Sequence, residues 1–156
     1  MGDDANLKLM ADLFAEMAGE VTGCFGEEGE AAVRRAVRRF GRRRGETMAR
    51  RVLDAGKPLD VAHYMEHYDM ARAQGFSIRT DRGPGWVEQV FAHCPLWATW
   101  EEGNRESEGY LYCLEIDAAI VEGYNPRMRF IHHCHFRDAG YCHMRFEDPT
   151  EGDEHA

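Results

Sequence analysis

The sequence predicts an α+β fold in which N-terminal helices pack on one face of an antiparallel sheet, with one further helix before a closing β-hairpin. Apolar residues recur at three- and four-residue spacings across the first third of the chain, while alternating, β-forming segments set off by glycine and proline dominate much of the remainder. No regular strand-helix-strand alternation is present, so a parallel sheet is not expected.

Leu7, Met10, Leu13, Phe14 and Met17 form the apolar stripe of a first helix over residues 7–18. After Gly23 and Gly26 a second helix opens with acidic residues that complement its dipole, and its apolar face runs Val33, Ala36, Val37, Phe40. Gly41 and Gly45 weaken it by propensity; Gly56 and Pro58 end its continuation through Met48, Val52 and Leu53. Asp60 is placed to cap a third helix from 61 to about 73, with Gly75 as its stop. Strands at 76–80 and 86–93 flank Arg82-Gly83-Pro84-Gly85 as a hairpin, and residues 97–101 are expected to extend the sheet. Leu111, Leu114, Ala118 and Val121 mark a fourth helix over 107–121, ended by Gly123-Tyr124-Asn125-Pro126. Strands at 128–136 and 141–146 close the chain around Arg137-Asp138-Ala139-Gly140. One domain over 1–156 is expected, its core at about 7–147 and its residues 148–156 a frayed acidic tail.

Hydrophobic residues make up 44% and charged residues 30%, the balance of a folded globular chain. A formal net charge of −9 argues against nucleic acid as a partner. The acidic N-terminus lacks the pattern of a secretory signal and no apolar run suits a membrane span, so the expected address is the cytoplasm. Five cysteines, an odd number at wide spacing, read as reduced thiols. Arg34, Arg35, Arg38, Arg39, Arg42, Arg43, Arg44, Arg50 and Arg51 crowd the second helix, either as a docking surface for an acidic partner or as a solvated face paired with the acidic remainder. The apolar face left on the first helix suits a homodimer.

Chemistry concentrates between His93 and His143. In the closing hairpin the apolar pattern puts His132, Cys134 and Cys142 on the core side and His133, His135, His143 and Arg145 on the other. The outer histidines suit a surface transition-metal site or a solvated imidazole patch. On the inner side an imidazole beside a thiol can take its proton and leave a nucleophile or metal ligand. His93-Cys94-Pro95 ends a strand, where a side chain can be fixed yet face a cleft, and Cys113 and Asp117 share one helix face. A carboxylate beside a thiol raises the thiol's pKa, so Asp117 is suited to orienting a histidine. His63 and His67 have the spacing of an HExxH zinc helix, but Glu66 stands in the wrong place.

Taken in order, Cys94-Pro95, Tyr112-Cys113 with Asp117, Gly123-Tyr124-Asn125-Pro126, Gly140-Tyr141-Cys142 and Arg145-Phe146 resemble the L-2-amino-thiazoline-4-carboxylic acid hydrolase family, over roughly residues 26–147. The chain is similar, more distantly, to ligand-binding domains of the 4-vinyl reductase type, which implies a concave pocket. The family resemblance implies an enzyme that hydrolyses a C–N bond in a cyclic amidine or related small heterocycle, with a small-molecule substrate as its partner. On that reading Cys94 or Cys113 is the thiolate nucleophile or a metal ligand, His132 or His93 the general acid/base, and Asp117 the orienting group. A variant ligates zinc or another transition metal through Cys94, Cys113, Cys142 and His132 to activate water. The rival is a non-catalytic sensor with Trp86, Trp97, Trp100, Tyr110 and Tyr124 lining its pocket.

Overall fold

The computed structural model describes residues 3–70 and 75–149. Its architecture is α+β: α1 (Asp3–Asp54), α2 (Val61–Glu66), β1 (Ser77–Gly83), β2 (Trp86–His93), α3 (Pro95–Glu102), α4 (Glu106–Cys113), α5 (Ile116–Tyr124), β3 (Arg129–Cys134), α6 (Phe136–Ala139) and β4 (Cys142–Glu147). The four strands form one antiparallel sheet in the order β1-β2-β4-β3. Val87, Gln89 and Phe91 of β2 and Cys142, Met144 and Phe146 of β4 are buried on its helix-covered face, as a two-residue pleat requires.

Gly26, at φ 56° and ψ −133°, breaks α1 into two limbs, a conformation that a side chain would strain. The limbs then close so tightly that a Cβ on Gly29 would fall 2.4 Å from the Val21 carbonyl oxygen. The second limb meets α5 backbone to backbone. A Cβ on Gly45 would lie 2.0 Å from the Ile120 carbonyl oxygen, and one on Gly123 would lie 2.1 Å from that of Arg42. The glycines that weaken α1 by propensity are thus the points at which its neighbour approaches.

Ion pairs bracket this seam. Arg34 and Arg38 reach Glu115 at 2.6 and 2.8 Å, and Arg42 meets Glu122 at 2.8 Å. At its lower end Asn125 Nδ2 donates to the Leu59 carbonyl at 2.8 Å and Tyr124 Oη donates to that of Asp60 at 3.1 Å. The Gly-Tyr-Asn-Pro motif therefore tethers helices. Trp100, fully buried, ties α3 to the first limb by donating its indole N–H to the Ala11 carbonyl at 2.9 Å.

Four boundaries differ from expectation. Residues 97–101 are helical, because Pro95 supplies a first helical residue with fixed φ and Trp97 and Trp100 share a buried face. The expected helix over 107–121 is two helices, split where Glu115 is drawn to the α1 arginines. The helix capped by Asp60 stops at Glu66, beyond which Asp69 pairs with Arg44; residues 71–73 of the expected helix lie outside the described residues. In the closing hairpin a single helical turn, α6, replaces a tight turn, and β3 carries a bulge between His132 and Cys134. Of the expected tail, residues 150–156 also lie outside the described residues.

A Cβ at the α1–α5 seam must push backbone aside, so Gly45→Ala and Gly123→Ala are each expected to cost about 1–3 kcal/mol or more by denaturant unfolding. Gly23, whose added Cβ meets nothing within 4 Å, is the control: Gly23→Ala should stabilise by about 0.5–1 kcal/mol. Equal effects at all three positions would refute the close contact.

Candidate active site

A cavity of about 80 Å³ lies between the sheet and the helices, large enough for several waters or a small heterocycle and too small for a polymer. Its walls bring together Cys94, Cys113, Asp117, His132 and Cys142, together with Arg44, Trp97 and His135. Each element delivers its group for a local reason. Cys94 is the extended residue just before α3, held there by Pro95. Cys113 ends α4 and Asp117 opens α5, the two helices separated by the break at Glu115. His132 and Cys142 stand on neighbouring antiparallel strands and point to the same face.

His132 Nε2 and Cys142 Sγ are 2.9 Å apart, within reach for proton transfer. Desolvation pushes the His132 imidazole down to about 4, helped by the nearby His135, so it is neutral at physiological pH. His135 is also lowered, chiefly by desolvation, against the opposing pull of Asp138 and Asp117. The two rings lie 3.6 Å apart between centroids. The Cys113 thiol is pushed well above its ordinary value by desolvation, reinforced by Cys94, Asp117 and Cys142. Cys113 is therefore a neutral thiol, poorly suited to act as the nucleophile.

Arg44 brings positive charge to the wall, its side chain 11% exposed. It forks onto Asp69 through Nε at 3.0 Å and Nη2 at 2.6 Å, a pairing that outweighs burial and keeps the guanidinium charged. The same fork lowers the Asp69 carboxyl despite its own desolvation. Two lining residues, Trp97 and His135, each hold a buried ring nitrogen, Nε1 and Nδ1, without a hydrogen-bond partner among the described residues. Such groups are costly unless water or a ligand meets them.

The sequence-predicted candidates divide clearly. Cys94, Cys113, Asp117, His132 and Cys142 converge on this cavity; His93 is exposed at the end of β2 and is not among its lining residues. Cys134 was expected on the core side, yet the bulge pairs it with His143 and leaves its thiol donating to the Tyr141 carbonyl at 3.7 Å. The same slip turns His135 inward, so it cannot belong to an outer trio with His133 and His143. Of the aromatic residues expected to line a pocket, Trp97 and Trp100 do so, whereas Trp86 stacks under Arg145 on the hairpin. Arg44 and His135 line the cavity although the sequence does not assign them to it: one is submerged in an arginine run, and unbroken alternation puts the other on the outer face. His63, of the HExxH-like pair, is held by the cap residue Asp60 at 2.7 Å.

The sequence profile of the L-2-amino-thiazoline-4-carboxylic acid hydrolase family matches residues 6–146. The chain belongs to that family. The match spans every element from the first limb of α1 to β4, and therefore the whole wall of the cavity. No curated protein and no solved structure matches the chain. For this family member, no helix among the described residues is long and apolar enough to cross a membrane.

Because His132 is neutral in the fold down to about pH 4 but protonates near 6.5 when unfolded, the unfolded state binds more protons between those values. Stability from this group is fully present above about pH 6.5 and is lost as pH falls through 4. Imidazole titration by NMR should place His132 near 4, and His132→Asn should flatten the fall in stability between pH 6.5 and 4; a His132 midpoint near 6.5 would contradict its desolvation.

Proposed function

We propose that this family member is a hydrolase acting at the amidine carbon of a small cyclic amidine-like heterocycle that carries a carboxylate. The observation that carries the reading is the convergence of a thiol–imidazole pair, Asp117 and Arg44 on one small cavity. The family's name, that of a hydrolase of a thiazoline carboxylic acid, agrees in substrate class.

An amidine carbon becomes electrophilic when its nitrogen is protonated, and Asp117 favours that charged form. Arg44 meets the substrate carboxylate with the guanidinium N–H groups left outside its fork to Asp69. The Cys142 sulfur adds to the amidine carbon as its proton passes to His132, the transfer accompanying attack because the desolvated imidazole is a weak base. His132 returns the proton to the departing nitrogen as the C–N bond breaks, then deprotonates the water that frees Cys142. Cys94 and Cys113 shape and desolvate the cavity. This differs from the expectation of Cys94 or Cys113 as nucleophile, because the imidazole stands beside Cys142.

The same convergence supports a second reading, in which Cys94, Cys113, Cys142 and His132 hold zinc or another transition metal that activates water. A non-catalytic module would instead use the apolar groove of about 450 Å³ between the limbs of α1, lined by Phe14, Met17, Val33, Val37 and Trp100. That groove offers almost nothing to a carboxylate or an amidine.

With 2-amino-thiazoline-4-carboxylate as substrate, Cys142→Ala and His132→Asn should each lower kcat by about 10²-fold or more. Arg44→Gln should act on KM, by about tenfold, the effect of one lost charge-assisted hydrogen bond. His93→Ala should leave turnover unchanged. Released ammonia marks cleavage of the exocyclic C–N bond, a new primary amine marks cleavage of the ring C–N bond, and a new free thiol marks C–S cleavage from the same adduct. Full activity in Cys142→Ala would sink the nucleophile assignment, and activity that vanishes with chelator and returns with zinc would favour the metal reading.

A further inference from the structure

The face of the sheet turned away from the cavity carries a second constellation. Glu88 of β2, His143 of β4 and His133 of β3 come from three adjacent strands, and one ligand atom from each lies within 4.8 Å of the others. The imidazole rings of His133 and His143 are 4.4 Å apart between centroids, and His143 Nε2 contacts Glu88 Oε1 directly. The bulge in β3 produces this convergence: His133 has no cross-strand partner in the ladder, while its neighbours pair with Met144 and His143.

We propose that Glu88, His133 and His143 form a binding site for a divalent transition ion of the zinc class, independent of the thiol-lined cavity. Two imidazoles and one carboxylate, with water in the fourth position, are a set that zinc accepts in tetrahedral geometry. The carboxylate is already oriented. Arg145 Nη1 donates to Glu88 Oε2 at 3.2 Å, leaving Oε1 towards the histidines, and this is the kind of outer hydrogen bond that fixes a ligating carboxylate. The positive charge of Arg145 is offset by Glu147 at 2.6 Å, and its guanidinium lies 4.4 Å from the Trp86 ring centroid. Among the described residues, the contact that the ion would displace is the hydrogen bond between His143 and Glu88.

The placement has a consequence for the opposite face. His133 follows His132 and His143 follows Cys142, so an ion at this site clasps the two backbone segments that carry the thiol–imidazole pair. It would clamp three strands across the bulge, the place where the ladder is interrupted.

The test is titration of the tag-free protein with Co²⁺ and Zn²⁺, followed by absorption spectroscopy and calorimetry. The expected result is one Co²⁺ per chain with visible d–d bands and no sulfur-to-cobalt charge-transfer band. His133→Ala and Glu88→Gln should each weaken binding by about tenfold or more, while Cys113→Ala and Cys142→Ala leave it intact. His133 is exposed, so its variant should match the parent in circular dichroism without metal. Absence of saturable binding at micromolar ion, equal affinity in His133→Ala, or a sulfur charge-transfer band that disappears with Cys142→Ala would overturn the proposal.

Discussion

The structure depends on the contact between the second limb of α1 and α5. Most helix pairs keep their axes 8–10 Å apart because side chains stand between them. Here Gly45 and Gly123 remove those side chains and let backbone meet backbone. The close seam fixes where α5 begins, and Glu115, pinned by Arg34 and Arg38, fixes the break before it. Asp117 and Cys113 lie on either side of that break. The same limb carries Arg44, so one helix supports the cavity and supplies its cation. A seam loosened by even one methyl group would therefore disturb charge placement at a distance.

Within the cavity, desolvation and charge work in opposite directions on different groups. It holds His132 and His135 neutral and raises Cys113, removing charge from groups that have no strong counter-ion. It fails to neutralise Arg44, because the Asp69 fork compensates the cost of burial. The result is a neutral imidazole beside a thiol, with a persistent cation, Arg44, and the acidic side chain of Asp117 on the same wall. A small heterocycle with both an amidine and a carboxylate would meet these polar groups, and its ring the apolar side chains of Phe76, Phe91, Trp97 and Ile116 that line the same cavity.

Much of this was legible in the sequence. The Asp60 cap, the Pro84-Gly85 turn and the alternation of β2 and β4 follow from local chemistry, and the structure has each of them. Cys94, Cys113, Asp117 and Cys142 stand in the motifs of the family resemblance and His132 on the core side of the expected closing hairpin, and all five line the cavity. What was not legible came from interactions between distant segments. The bulge at His133 breaks a period that the sequence continues, so Cys134 and His135 exchanged faces. Residues 97–101 carry β-forming tryptophans, yet Pro95 and burial against α1 make them helical. Gly41 and Gly45 read as helix weakeners because their value lies in what packs against them. Arg44 could not be told from its eight neighbouring arginines until Asp69 was seen to fold onto it.

The proposed hydrolysis requires the substrate to react in the cavity between the sheet and the helices. A crystal structure of the Cys142→Ala variant with 2-amino-thiazoline-4-carboxylate bound tests it most directly. The proposed mechanism puts the ring in that cavity, its carboxylate against Arg44 and its amidine carbon facing His132. A ligand seated instead in the apolar groove of α1, or on the outer histidine face, would contradict it.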